Sequence, residues 1–399
     1  MERTERIFIG IDFAKEKFDA CYLDEDGVVA HAVFQNVKKD YRRLLSWVRK
    51  MAVTRGRPAP EEVLFCGEHT GECSLPLSEW LVDNGYRIWL DNPVRIKRSA
   101  GIVRGKSDKA DALMIAQYAM EKYKPGNSKL FVPDTKAIKE LKSLYNCRME
   151  IVKTRVGIGN RICSGSFTHS TLAEKKLAQL HRELTNQEDI LEAEMEKLMT
   201  STPELAANYR ILVSFKGIGV LTAAVFIIYT NNFTSFSTPR QFACHVGVAP
   251  FGKDSGKSIH ADPHVSFFAN KKGKAALVHA ANTAIRFNPI IREYAKRLKN
   301  KGKHNGVIMN NVKNKIIHIV FKMIQSQKEW QADYQHSHMS GNRNWKPLGV
   351  KEGVAEANPS ADLSVQSSPA AFGGMQIYKN HKTNNKLLKK ISQKICTET

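Results

Sequence analysis

The chain has 399 residues, enough for two or three domains and for a core that needs no disulfide or zinc staple. Its 61 Lys and Arg against 39 Asp and Glu leave a formal charge of +22, which excludes an ordinary near-neutral soluble enzyme and predicts a polyanionic partner, nucleic acid first. The charged opening MERTERIFIG has no apolar signal-peptide region, no run reaches transmembrane length, and seven scattered cysteines do not form a disulfide framework, so a reduced, cytoplasmic protein without a membrane partner is expected.

In chain order, RIFIGIDF and KFDACYLD read as short strands, and the Asp26-Gly27 turn leads into a third, VVAHAVF, giving an antiparallel meander. A segment from Lys39 to about Val53 places Tyr41, Leu44, Leu45 and Val48 on one helical face. EVLFCGE predicts a buried strand, SLPLSEWLVDNG a helix stopped at Gly85, YRIWLDN another strand, and a further helix runs from about Ser107 to Tyr123. The order β-β-β-α-β-α-β, then a helix, marks residues 1–130 as an α/β domain.

Residues 134–200 are long, charged and helix-forming. Leu177, Leu180, Leu184, Leu191 and Leu198 recur at mostly three-, four- and seven-residue steps, a pattern that suits either a helical hairpin packed on its own domain or a seam between subunits. Residues 203–328 predict a second, mainly α-helical globular region with glycine turns. From 330 to 399 the chain is polar, with too little apolar sequence to predict a core.

Four acids stand out. Asp12 ends the first strand in GIDFAKEK, Glu68 ends the fourth in CGEHTGE, and Asp108 and Asp111 lie one turn apart at the start of the helix in KSDKADA. Singly, each suits a turn or a helix cap. Gathered by one sheet, they form a pocket that repels itself unless divalent cations fill it, which is the requirement of metal-assisted phosphoryl transfer. Cys66, His69 and Cys73 are close in sequence but lack the fourth ligand and the paired spacing of a zinc site.

With these residues the chain resembles the DEDD transposases of bacterial insertion sequences and the related Piv-type DNA invertases, over roughly residues 5 to 325. GIDFAKEKFDACYLDEDG is similar to the family's opening strand pair, GEHTG to its Glu-x-Thr-Gly element, and RGKSDKADALMIAQYA to its Asp-x-x-Asp helix. The resemblance implies an RNase H-like, RuvC-related nuclease domain in which Asp12, Glu68, Asp108 and Asp111 bind Mg²⁺ or Mn²⁺. SFKGIGVLTAAVFI resembles the family's Gly-x-Gly hairpin; read from the residues alone, Gly217 and Gly219 suit a phosphate-binding helix start or an ordinary helix corner equally. FACHVGVAPFGKDSGKS resembles the stretch that carries the family's catalytic serine, which assigns Ser255 as nucleophile and leaves Ser258 as its rival.

The stretch from Lys271 to Lys303 is rich in Lys and Arg with aromatic residues between them. Lys271, Lys272, Lys274, Arg286 and Arg292 are the expected phosphate contacts, against the alternative of a solvated helix face. The expected function is therefore a transposase or site-specific recombinase of a bacterial insertion sequence, cytoplasmic and nucleoid-associated, acting on DNA as a homo-oligomer. Resemblance further implies a structured guide RNA. The alternative is a Holliday-junction-type endonuclease using the same acids with water as nucleophile.

Overall fold

The computed structural model describes residues 5–52, 58–99, 101, 107–165, 170–255, 259–266 and 269–331, with 253–255 and 259–263 described by their backbone alone. The chain divides into two compact units, the first running to Pro133 and the second starting at Asp134.

The first unit is built on a five-stranded sheet of order β3-β2-β1-β4-β5. Strands β1 (Ile7–Phe13), β2 (Lys17–Asp24) and β3 (Val29–Gln35) form the expected antiparallel meander, while β4 (Val63–Glu68) and β5 (Arg87–Asp91) continue it in parallel. Strand alternation decides which side chain goes where. Ile7, Ile9, Ile11, Phe18, Tyr22, Val63, Phe65 and Ile88 face one way and pack beneath α1 (Lys38–Met51) and α2 (Leu75–Asp83), through Tyr41, Leu44, Leu45, Val48, Leu77 and Leu81. Phe8, Leu64, Cys66 and Trp89 face the other way, beneath α3 (Pro93–Ser99) and α4 (Asp108–Lys122), against Ile96, Ile115, Tyr118 and Ala119.

Gly10 fixes how α4 lies. A Cβ there would stand 2.1 Å from the Ala112 carbonyl oxygen and 2.3 Å from the Ala116 nitrogen, so only glycine lets the helix rest directly on β1. Phe8 packs with Ile115 and Ala119 further along. The helix therefore runs antiparallel to β1, and its first turn stands over the carboxyl end of that strand. Ser107 caps that turn by accepting from the Ala110 N–H at 3.2 Å.

The second unit is helical. Helices α5 (Lys136–Cys163) and α6 (Thr171–Ser201) pair antiparallel, as Gly159 against His181 and Arg148 against Glu192 at 3.2 Å show. Glu188, 6% exposed, is held between them by Arg155 and Arg148. The base of this hairpin enters a shared core, through Ile138, Leu141, Tyr145, Met195 and Met199. That core is completed by α7 (Pro203–Ser214), α8 (Val220–Thr230), α9 (Pro239–His245), α10 (Lys271–Phe287), α11 (Pro289–Asn300) and α12 (Asn305–Ser326). An antiparallel hairpin, β6 (Pro250–Ser255) and β7 (Ile259–Val265), is inserted between α9 and α10. Trp330 closes the described chain against Phe215, with ring centroids 4.9 Å apart. Residues 332–399, most of the polar stretch, lie outside the described residues.

Candidate active site

The same alternation that buries Phe8, Leu64 and Trp89 carries the acids. Asp12 is two residues beyond Gly10 and faces α4. Glu68 follows Leu64 and Cys66 on that face, Asp91 follows Trp89, and Asp19 is the direct partner of Asp12 across β1 and β2. In the parallel ladders Ile11 pairs with Gly67, making Asp12 and Glu68 the next residues along, and Glu68 pairs with Asp91. A row of carboxylates, Asp19, Asp12, Glu68 and Asp91, thus crosses adjacent strands spaced about 4.8 Å apart. Asp108 and Asp111 stand above it on the first turn of α4.

The outer members of the row are compensated. Asp91 accepts from the Tyr118 hydroxyl at 2.6 Å and from Arg95 Nη1 at 3.3 Å. Asp19 accepts from Lys17 Nζ at 3.2 Å and lies 2.8 Å from His31 Nε2. At the centre charge accumulates. Burial, followed by the Asp111, Asp108, Glu68 and Asp19 carboxylates, pushes the Asp12 carboxyl up to about 6. The other three expected acids all act on Asp12, so the fold brings Asp12, Glu68, Asp108 and Asp111 into one electrostatic neighbourhood. Two ammonium groups temper it: Lys17 Nζ stands 2.8 Å from Asp108 Oδ2, and Lys97 Nζ stands 3.8 Å from Glu68 Oε1.

Among the described residues no three His, Cys, Asp or Glu side chains are drawn tightly enough to hold a metal ion as they stand. The donor set nevertheless fits one chemistry. Carboxylate oxygens that repel each other suit a hard divalent cation, and Lys17, bridging Asp19 and Asp108, supplies a weaker positive charge in the same place. Cys66 lies wholly buried beneath α4, where burial raises its thiol, so it is part of the packing under the acids.

The second unit holds the remaining expected residues. Ser255 ends β6, its backbone paired with Ile259; its side chain and all of Ser258 lie outside the described residues. Lys271 and Lys272 are exposed on the first turn of α10, with Lys272 Nζ 3.2 Å from Asn146 Oδ1, and Lys274 is half-buried behind them. Arg286 lies at the other end of α10, about 18 Å along the axis from Lys274, and Arg292 follows on α11. Arg286 lies over the Phe287 ring at 5.8 Å, while Arg292 donates to the Ile285 and Arg286 carbonyls and caps the end of the helix. The five cations are thus two groups. At the glycine turn, a Cβ on Gly217 would stand 2.7 Å from Ala284 Cβ, so α10 packs directly on the corner between α7 and α8.

Comparison with known proteins decides the family. A DEDD-type model described as transposase matches residues 9–165, and one described as transposase IS116/IS110/IS902 family matches 209–296. The chain belongs to the IS110 family of transposases. It is accordingly a DNA transposase or recombinase, and the DEDD family implies dependence on a divalent metal. The pilin gene-inverting proteins of Moraxella lacunata and Moraxella bovis are each 24% identical over 328 residues, covering 81% of this chain and 97% of theirs. An uncharacterised protein of insertion element IS110 from Streptomyces coelicolor is 31% identical over 135 residues, 34% of this chain and 32% of its own. No helix among the described residues is long and apolar enough to cross a membrane.

Asp19 and Lys17 were not among the expected site residues. The short connection between β1 and β2 keeps both near Asp12, but only the register, which pairs Asp12 with Asp19, puts them on its face.

Proposed function

We propose that this IS110-family transposase cuts and rejoins DNA strands with an RNase H-like carboxylate centre in its first unit and the Ser255 hydroxyl in its second. The observation that carries the reading is the placement of Asp12 and Glu68 on neighbouring strands beneath Asp108 and Asp111 on the first turn of α4, where burial and the three neighbouring carboxylates raise the Asp12 carboxyl. Such self-repulsion is tolerated where a cation is to be bound.

Asp12, Glu68, Asp108 and Asp111 would hold Mg²⁺ or Mn²⁺. When bound, the cation supplies Lewis-acid activation of the scissile phosphate and neutralises charge developing on it. Asp12 must give up its proton to serve as a ligand, so its elevated value makes occupancy pH-dependent. Gly10 holds the first turn of α4 over β1 and so keeps Asp108 and Asp111 beside Asp12. Ser255 Oγ bonds to phosphorus as one phosphodiester P–O bond breaks; its proton passes to a base, the departing strand oxygen is protonated, and the phosphoserine bond conserves the energy for rejoining. Lys271, Lys272, Lys274, Arg286 and Arg292 would hold the DNA backbone around this exchange.

The strongly basic composition supports a second polyanion as partner, and on the strength of the family resemblance we assign it as a structured guide RNA. Strand exchange requires several active sites, so the protein acts as a homo-oligomer, in the cytoplasm with the nucleoid. The test is strand cleavage of DNA carrying the ends of the mobile element, with RNA transcribed from its flank, in Mg²⁺ and in EDTA. Cleavage and joining in Mg²⁺ alone, lost in Asp12→Asn and Glu68→Gln, is the expected result. Cleavage of four-way junctions without joining would favour the resolving endonuclease.

A further inference from the structure

Helix α12 carries an apolar stripe, Ile308, Val312, Ile316, Ile317 and Val320, and Lys313 interrupts it. The side chain is not turned out to solvent: Lys313 is 5% exposed. Asn310, one turn before it on the same face, donates from Nδ2 to the Val248 carbonyl at 2.8 Å, which places this face of α12 against the segment that leads into β6. Lys274 reaches the same segment from α10, its Nζ 3.9 Å from where a Cβ on Gly247 would stand. Gly247 itself has φ +65° and meets Ala269, so the backbone there is tightly held.

The Lys274 ammonium therefore stands beside the Gly247 backbone and close enough to the Lys313 ammonium to repel it. Among the described residues neither has a hydrogen bond or a carboxylate partner, and α9, α10 and α12 contain no Asp or Glu. Lys274 belongs to the first turn of α10, so the positive end of that helix adds to the field. Burial and the charge of Lys274 push the Lys313 ammonium down to about 8.

We propose that Lys313 and Lys274 form a built pocket for one backbone phosphate of the DNA strand presented to the β6–β7 hairpin. This rests on the transposase reading above for its choice of DNA. A doubly cationic place at a helix start, with no carboxylate partner among the described residues, is what a phosphodiester needs. It also gives β6, which ends at Ser255, a fixed distance from the strand it is to attack.

The experiment compares the full-length wild type with Lys313→Met, Lys274→Met and Lys313→Arg, by fluorescence anisotropy on a labelled DNA duplex and on RNA of the same sequence, across a range of salt. Methionine keeps the bulk without the charge, so Lys313→Met should melt at or above the wild-type temperature. Each Met variant should bind DNA about tenfold more weakly. Each should also lower the slope of log affinity against log salt by about 0.9, the loss of one phosphate contact. Lys313→Arg should restore most of the affinity. If DNA affinity and slope are unchanged in both Met variants, the pocket is overturned while the transposase reading stands. A loss confined to RNA overturns the assignment to DNA. A wild type that binds neither nucleic acid overturns the transposase reading itself.

Discussion

Asp12 and Asp19 are directly opposed across the antiparallel pair β1 and β2, with both carboxylates on the face that carries α4. Like charges in that position destabilise a sheet. Asp19 is relieved by Lys17 and His31, whereas Asp12 is left to the combined field of Glu68, Asp108 and Asp111. The protein therefore spends stability at the place where the proposed chemistry occurs.

A pH dependence follows from Asp12. Its folded value, about 6, lies above the unfolded 3.8, so the folded state holds the proton more tightly. The associated stability is fully present below pH 3.8 and is lost as pH rises through 6. Asp12→Asn removes the penalty. In EDTA the variant should melt above wild type at pH 7.5, and the difference should vanish near pH 3.8. Equal melting temperatures at pH 7.5 would show that the acids do not repel in solution.

Divalent cation should reverse that order. Mn²⁺ bound by the folded state alone should raise the wild-type melting temperature in a concentration-dependent way, and Asp12→Asn and Glu68→Gln should respond weakly. Lys17→Met should bind Mn²⁺ more tightly than wild type by calorimetry, since its ammonium competes for Asp108. Weaker binding in that variant would mean that Lys17 organises the acids instead of competing for them.

Gly10→Ala probes the contact that aligns helix and strand. The added methyl meets backbone atoms of Ala112 and Ala116, which have no rotamer by which to yield, so α4 must move away. We expect a loss of about 1–3 kcal/mol in urea unfolding, with a reduced Mn²⁺ response. Unchanged stability would show that α4 is loosely seated.

Much of this site was legible in the sequence because strands have a period of two. Once GIDF and FCGE were read as adjacent strands, Asp12 and Glu68 had to end them, and a helix starting at Asp108 had to present Asp108 and Asp111 together. The meander, its connecting helix and the order of elements as far as β5 were legible for the same reason, whereas α3 and the β6–β7 hairpin were not read. Asp19 was not, because KFDACYLD does not reveal which of its faces shares a side with Asp12 until the pairing register is known. Lys313 was visible only as a charge inside the apolar stripe of α12; whether such a lysine snorkels or stays buried depends on the neighbours that α10 and the Gly247 segment supply. The leucine spacing of α6 suited either a hairpin or a subunit seam, and the salt bridges of Glu188 and Glu192 to α5 show the hairpin within the chain.

The division of labour between the two units is tested most directly by trapping. Wild type, Ser255→Ala, Ser258→Ala and Asp12→Asn are incubated in Mg²⁺ with a labelled suicide substrate carrying an element end, together with RNA transcribed from the element's flank, and the products are separated by denaturing electrophoresis. A protein-linked strand is expected for wild type and Ser258→Ala, and none for Ser255→Ala or Asp12→Asn, with metal binding lost only in Asp12→Asn. An adduct that persists in Ser255→Ala, or a wild type that cuts efficiently without ever forming one, would contradict this division of labour.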